Sequence, residues 1–287
     1  MKNVIKYYYN LDVSSIRQID NNYYLIINNS NFLLCPCDIS MLDKIIKYIE
    51  NPYFNKLIYT VNQMPYININ NKNYALFQVN TILKKIDLND IVDFNFPIML
   101  YKNIGNEWSL LWEEHIDYLE YKVNSEKNKY KLVNNVLYYY IGMAENALQI
   151  LNNDNFNNIS LYLSHRRLKN DSTLVDIYNP ANIIIDSRVR DFAEYIKNVF
   201  FYSNNQIDTV NIFKYIDLLN ESEKKLFFAR LLYPTYFFDL CNEIFENNKK
   251  EDILNQIIAK TFRYESFLLL ILNYIKKTTY INIDWLN

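Results

Sequence analysis

Glycine is almost missing from this chain. Its 287 residues hold two, Gly105 and Gly142. Loops that cradle phosphate need glycine, because their backbone takes positive φ and approaches the oxygens closely. No glycine precedes position 105, so GxGxxG and Walker-type loops are absent outright. Cysteine is scarce too. The odd set Cys35, Cys37 and Cys241 makes no disulfide framework. Cys-Pro-Cys alone falls short of the four ligands of a structural zinc site, so all three read as reduced thiols. A charge excess is also missing. Lys and Arg number 30 against 32 Asp and Glu, a net charge of −2, and nothing in that balance favours nucleic acid or an anionic membrane. The strongest apolar run, 267–272, is too short to span a bilayer. Residues 1–7 lack the apolar core of a signal peptide, which fits synthesis in the cytoplasm.

What is present is a globular composition. Half the residues are hydrophobic and 16% are aromatic, enough for one large domain or two lobes. Residues 1–80 read as a small β-rich lobe. Runs at 23–27 and 32–35 are strand-like and separated by an Asn-rich turn. Asp38 caps a helix through Glu50 with Leu42, Ile45, Ile46 and Ile49 on one face. Two more strands fit 57–61 and 74–79. Residues 81–106, with Pro97 inside, read as an irregular connection. From 107 to 287 the pattern is mostly helical. Trp108, Leu111, Trp112, His115, Ile116, Leu119 and Val123 recur at helical spacing, opposite Glu113, Glu114, Asp117 and Glu120. A second helix is predicted over 127–151, apolar nearly all round, with Gly142 and Ala144 letting a neighbour come close. Short strands are predicted at 160–164, 173–177 and 182–185. Helices are predicted over 191–201, from Asn220 onward, over 236–245 and, as one long element, over 252–275. The apolar tail 281–286 should dock.

The stretch 164–191 organises the helical part. A phosphotransferase of the protein-kinase type has a loop starting His-Arg-Asp-Leu. There an Asp takes the substrate proton, an Asn five residues on binds magnesium, and an Asp after a strand binds it again. Here the order is His165-Arg166-Arg167-Leu168, with Ser172 at the Asn place, Asn182 and Ile183–Ile185 ahead of Asp186, and Asp191 at a helix start.

Several stretches resemble one family, the YutH-type spore coat proteins of the CotS-like group. They are Leu111-Trp112-Glu113-Glu114-His115-Ile116-Asp117-Tyr118-Leu119-Glu120, Tyr139-Tyr140-Ile141-Gly142-Met143-Ala144-Glu145-Asn146-Ala147-Leu148-Gln149, and His165-Arg166-Arg167-Leu168. To these add Arg190-Asp191-Phe192-Ala193-Glu194-Tyr195-Ile196-Lys197 and Ile283-Asp284-Trp285-Leu286. The Ala-Glu-Asn-Ala run is the most specific, and the small lobe matches only in pattern. The resemblance implies an α+β, two-lobed protein-kinase-like fold, like aminoglycoside and choline phosphotransferases. Its degenerate catalytic-loop region would be 160–191. It also implies a place in the coat of bacterial endospores, with other coat proteins as partners, no nucleic acid and no membrane insertion.

Taken residue by residue, the kinase parts are replaced. Cys35 sits where the strand-3 Lys would be. Arg167 sits at the base, and a guanidinium with pKa above about 12 accepts no proton. Ser172 replaces the Asn ligand, and Asn182 stands nearest the magnesium Asp. The expectation is therefore no catalytic residue, no cofactor and no metal. Phosphate binding by Arg166 or Arg167 without turnover stays open. Asp171, Asp176 and Asp186 could rescue a metal site, but carboxylates in such turns are mostly solvated or capping. His165 reads as a brace of the loop backbone, Asp191 as an N-cap, His115 as a satisfied boundary residue, and Glu145-Asn146 as an interhelical polar pair. Two other functions stay open: an active small-molecule phosphotransferase acting on a hydroxylated or amino-sugar-like substrate, and a nucleotide-binding module without turnover.

Overall fold

The computed structural model describes residues 1–19, 21–79, 84–102, 104–126, 129–154, 156, 159–169, 171–203, 207–283 and 285–286. It forms two compact units, Met1–Asp90 with Ser164–Ile185, and Ile91–Leu163 with Asp186–Asn287. The loop stretch 164–185 therefore packs with the N-terminal part, not within the helical part as the sequence reading has it. Asn170 and Asp284 lie outside the described residues.

The first unit opens on helix α1 (Lys2–Tyr9), which the sequence reading misses. Strands β1 (Ser15–Ile19), β2 (Asn22–Ile27) and β3 (Ser30–Pro36) follow. Then come α2 (Ile39–Ile49), β4 (Lys56–Ile58), β5 (Ile67–Ile69) and β6 (Lys72–Gln78). The sheet is antiparallel in the order β1-β2-β3-β6-β4, with β5 also on β6. One face buries Leu25, Ile27, Phe32, Leu34 and Leu76 against Ile5 and Tyr9 of α1. With so little glycine, the tight hairpins rest on asparagine. Asn28 (φ 48°) and Asn29 (φ 62°) join β2 to β3, and Asn70 (φ 49°) and Asn71 (φ 62°) join β5 to β6. Two-residue hairpin turns need positive φ at both positions, and after glycine asparagine tolerates it best. As predicted, Asp38 caps α2, its side chain accepting from the Met41 N–H at 3.2 Å.

The expected irregular connection holds regular elements. It contains α3 (Leu88–Asp93) and β7 (Pro97–Lys102). Pro97 opens the strand, where its missing N–H costs least.

The second unit is carried by α4 (Ile104–Ser125) and α5 (Lys131–Asn153). Strand β8 (Ile159–His165) pairs antiparallel with β7. After α6 (Leu174–Ile177) and β9 (Ile183–Asp186) come α7 (Val189–Tyr202), α8 (Thr209–Asp217) and α9 (Glu221–Leu232). The last are α10 (Thr235–Asn247), α11 (Asn255–Ile258) and α12 (Thr261–Ile275). Helix α9 is the true centre, with 226–232 buried throughout. Each large side chain there contributes about 1.5–3 kcal/mol of burial. The predicted strand at 173–177 is the helical turn α6, because Thr173 and Asp176 form a reciprocal capping box. The predicted single helix 252–275 is broken before Thr261. There Lys260 leaves the ladder and donates its Nζ to the carbonyls of Phe200 (3.1 Å) and Phe201 (2.8 Å).

Gly142 meets nothing within 4 Å of an added Cβ, so close approach does not explain it. Gly105 is the glycine with a reason, since a Cβ there would lie 2.6 Å from Phe156 Cδ2. The tail docks as predicted, with Ile281, Ile283 and Leu286 buried.

Candidate functional site

In the first unit the loop is held from several sides by backbone-directed bonds. His165 is buried, and its Nε2 lies 2.8 Å from the Ile177 carbonyl oxygen, the bracing role read from sequence. The Arg166 N–H donates to the Asn182 carbonyl at 2.9 Å. Ser172 is buried, and its Oγ accepts from the Lys169 N–H at 3.0 Å while its carbonyl accepts from the Ile86 N–H at 3.0 Å. Asp176 accepts from the Thr173 N–H (2.7 Å) and Oγ1–H (3.0 Å), so it is a cap. Asn182 ends the 3₁₀ turn before β9, its Nδ2 3.5 Å from the Asp176 carbonyl. Asp171 and Arg167 are exposed, and Leu168 is buried.

Cys35 lies in the middle of the sheet, on β3 opposite Ala75, and is 2% exposed. Its S–H points at Asn179 Oδ1, 3.8 Å away. Burial pushes the thiol up to about 12 against a smaller opposing effect of the Asn179 contact, so it stays neutral. Asn55 is fully buried; its N–H donates to the Tyr178 carbonyl (2.9 Å) and its Nδ2 to the Val175 carbonyl (3.2 Å). Arg166 donates to Asp38 Oδ2 at 3.0 Å, with both side chains about half exposed. The capping bond from Met41 and then the guanidinium hold the Asp38 carboxyl below the usual carboxylate range. The concavity beside this pair, floored by Pro180 and Ala181, encloses 0 Å³. Asn55 and Asn179 escape a reading by motif. The signal for Asn179 is Asn-Pro, a turn-starting dipeptide.

In the second unit Asp186 closes β9. Its Oδ2 accepts from Arg190 at 2.9 Å and from Trp108 Nε1 at 3.3 Å, and its Oδ1 accepts from the Ser187 N–H at 2.7 Å. Asn182 thus precedes the strand and Asp186 ends it, so the expected match of Asn182 to an acid that follows the strand does not hold; Asp186, held by three donors, stands there. Asp191 is buried inside the first turn of α7, whose N-cap is Arg188, so its expected capping role is not the one it plays. It lines a cavity of about 110 Å³ with Arg188, Tyr215, Phe94 and Leu163. Arg188 makes a two-pronged contact with Glu223, at 2.8 and 2.7 Å. Deeper lies a charge cluster with no motif to announce it. Lys197, 1% exposed, donates to Glu194 Oε1 (2.9 Å) and to the carbonyls of Arg230 (2.7 Å) and Tyr233 (3.0 Å). Arg230 Nε lies 2.9 Å from the same Glu194 oxygen, and its guanidinium stacks 4.5 Å over the Trp108 ring. Thr235 Oγ1 donates to Glu194 Oε2 at 2.7 Å.

His115 is satisfied as read, by Tyr233 Oη at 3.2 Å and Asn242 Nδ2 at 3.1 Å. Asn146 donates within its own helix to the Gly142 carbonyl at 2.7 Å, and Glu145 is exposed, so the expected interhelical pair does not form. Among the described residues no three His, Cys, Asp or Glu side chains are placed to hold a metal. No described helix is long and apolar enough to cross a membrane.

Comparison with known proteins bears on this arrangement directly. Residues 2–270 match the family described as "Spore coat putative kinase YutH". The chain belongs to the YutH spore coat family. A YutH relative, the endospore coat-associated protein YutH of Bacillus subtilis (strain 168), is 23% identical, covering 88% of this chain and 84% of its own. Among solved structures, an aminoglycoside phosphotransferase from Alicyclobacillus acidocaldarius superposes with a TM-score of 0.66 at 11% identity, covering 96% of this chain and 97% of its own. An AMP-bound spectinomycin phosphotransferase gives 0.52 at 10% identity, over 96% and 97%. Likeness at that identity carries the fold: an α+β protein-kinase-like chain with an antiparallel N-terminal sheet and a helical C-terminal part.

Proposed function

We propose that this YutH-family chain is a non-catalytic component of the endospore coat that acts by binding other coat proteins. The observation that carries the reading is Cys35. Phosphoryl transfer in this fold needs a fixed cation on the third strand to hold phosphate. A buried thiol kept neutral to about pH 12 supplies none. Arg167 at the base position accepts no proton. Several other polar groups of the stretch are engaged internally: Ser172 and Asp176 with local backbone, Arg166 with Asp38, and Asp186 with Arg190 and Trp108. The coat location rests on the name carried by the B. subtilis relative.

The test is a turnover assay with MgATP, alone and with a panel of aminoglycosides, beside fractionation of a tagged chain in a sporulating host. Phosphate release should equal the buffer blank, and the chain should extract with the coat layers. Turnover that disappears in Asp186→Asn would overturn the reading.

A further inference from the structure

Two helices of the 91–163/186–287 unit present outer faces that are apolar and oppositely charged. On α4, Leu110, Leu111 and Tyr121 are 61%, 62% and 70% exposed. Leu110, Glu114, Asp117 and Tyr121 follow at i, i+4, i+7 and i+11, so they share one side of the helix. Glu113 is exposed next to them. No Lys or Arg occurs from 103 to 121. Among the described residues no cation pairs with Glu114 or Asp117.

The outer face of α12 has the opposite sign. Phe262 is 80% exposed, and Leu269 and Leu270 are 39% and 46%. Phe262, Ser266, Leu269 and Asn273 repeat the same spacing. Arg263 is exposed beside them, and Lys276 and Lys277 are exposed just past the helix end. Glu265, the one acid of the helix, accepts the Tyr139 hydroxyl, so three cations stand against one acid.

We infer that the α4 face of one copy docks on the α12 face of the next. Exposed leucine and phenylalanine at this density are unfavourable unless covered, and the faces complement each other in charge within a single sequence. Different faces meeting make a heterologous contact, which propagates into chains or sheets unless the rotation closes a ring. One helix-on-helix contact is at the weak end of specific interfaces, and repetition along an assembly raises its effective strength. A membrane is the poorer occupant for α12, because three cations fall short of the clusters of about 4–8 that bind anionic lipid. The inference does not depend on whether the chain is catalytic, since its readout is association and not nucleotide chemistry.

Sedimentation velocity of the full chain from about 10 μM to about 1 mM tests it, given the weak interface expected. The sedimentation coefficient should rise with concentration and fall back in about 0.5 M salt, where screening shortens to a few ångström. Glu114→Lys with Asp117→Lys, and separately Arg263→Glu with Lys277→Glu, should each weaken association by about tenfold or more through like-charge opposition. Both variants change exposed positions, so melting curves should match wild type. An equimolar mixture of the two should associate again, because reversed α4 then meets reversed α12. A chain that stays monomeric at every concentration, or associates equally well with either face reversed, would overturn the inference. So would binding to anionic vesicles without self-association.

Discussion

The two halves of the 164–191 stretch treat polar groups in opposite ways. From Ser164 to Ile185 the buried polar side chains are Ser164, His165, Ser172 and Asn179 and, facing them from the sheet side, Cys35 and Asn55. Their partners are mostly backbone carbonyls and amides, and the Arg166–Asp38 ion pair is half in water. From Asp186 onward, charge itself is buried, in Asp186–Arg190, Arg188–Glu223 and the Glu194–Lys197–Arg230 cluster. A desolvated ion persists only with a close counter-ion and further contacts; Lys197 has two backbone carbonyls, Arg188 the Leu218 carbonyl, and Arg230 the Trp108 ring. The buried polar side chains of the loop half thus include no Asp, Glu, Lys or Arg among the described residues. The strong electrostatics lie in the half that packs helices together.

The sharpest way to break this contrast is at Glu194. Glu194→Gln leaves Lys197 and Arg230 buried with no carboxylate between them and should cost about 3–5 kcal/mol, read as a lower urea midpoint. A cost under about 1 kcal/mol would remove the distinction between the halves. In the neutral half, Asn55→Ala removes one side-chain donor from a buried carbonyl and should cost about 1–3 kcal/mol.

Alkaline unfolding of a Cys35 variant probes the thiol that faces the loop. The folded pKa of Cys35 is raised from 9.0 to about 12, so its contribution is complete below pH 9 and is lost as pH rises from there towards 12. Cys35→Ser should flatten that alkaline loss relative to wild type. Iodoacetamide should leave Cys35 unlabelled in the native protein at pH 8. The smallest effect belongs to Arg166→Gln. Its partner Asp38 keeps the α2 cap, and an exposed pair is worth only about 0–1 kcal/mol.

Much of this molecule was legible in its residues. The strand-type runs at 23–27 and 32–35, the Asp38 cap and the helical spacing of α4 each have a local cause and are readable, although Leu111, read on the apolar face of α4, is 62% exposed. Helix α1 was missed because Lys2–Tyr9 is rich in tyrosine and gains its place from packing on the sheet, not from propensity. Thr173–Ile177 looked strand-like from its β-branched residues, and the capping box overrode them. Glycine scarcity said nothing about tight turns, because asparagine filled the left-handed positions. The buried Lys197 cluster was illegible for a different reason. Its members sit in α7, α9 and α10, and only tertiary packing brings them together.

Nucleotide affinity is the most direct measure of whether the loop is a joint or a site. Thermal unfolding of the full chain with ATP and magnesium raised to about 5 mM would show a stabilisation of ~2.7 kcal/mol wherever nucleotide exceeds its Kd a hundredfold. A neutral Cys35 and internally engaged loop groups predict an unfolding midpoint that does not move. A saturable, magnesium-dependent rise would contradict the account.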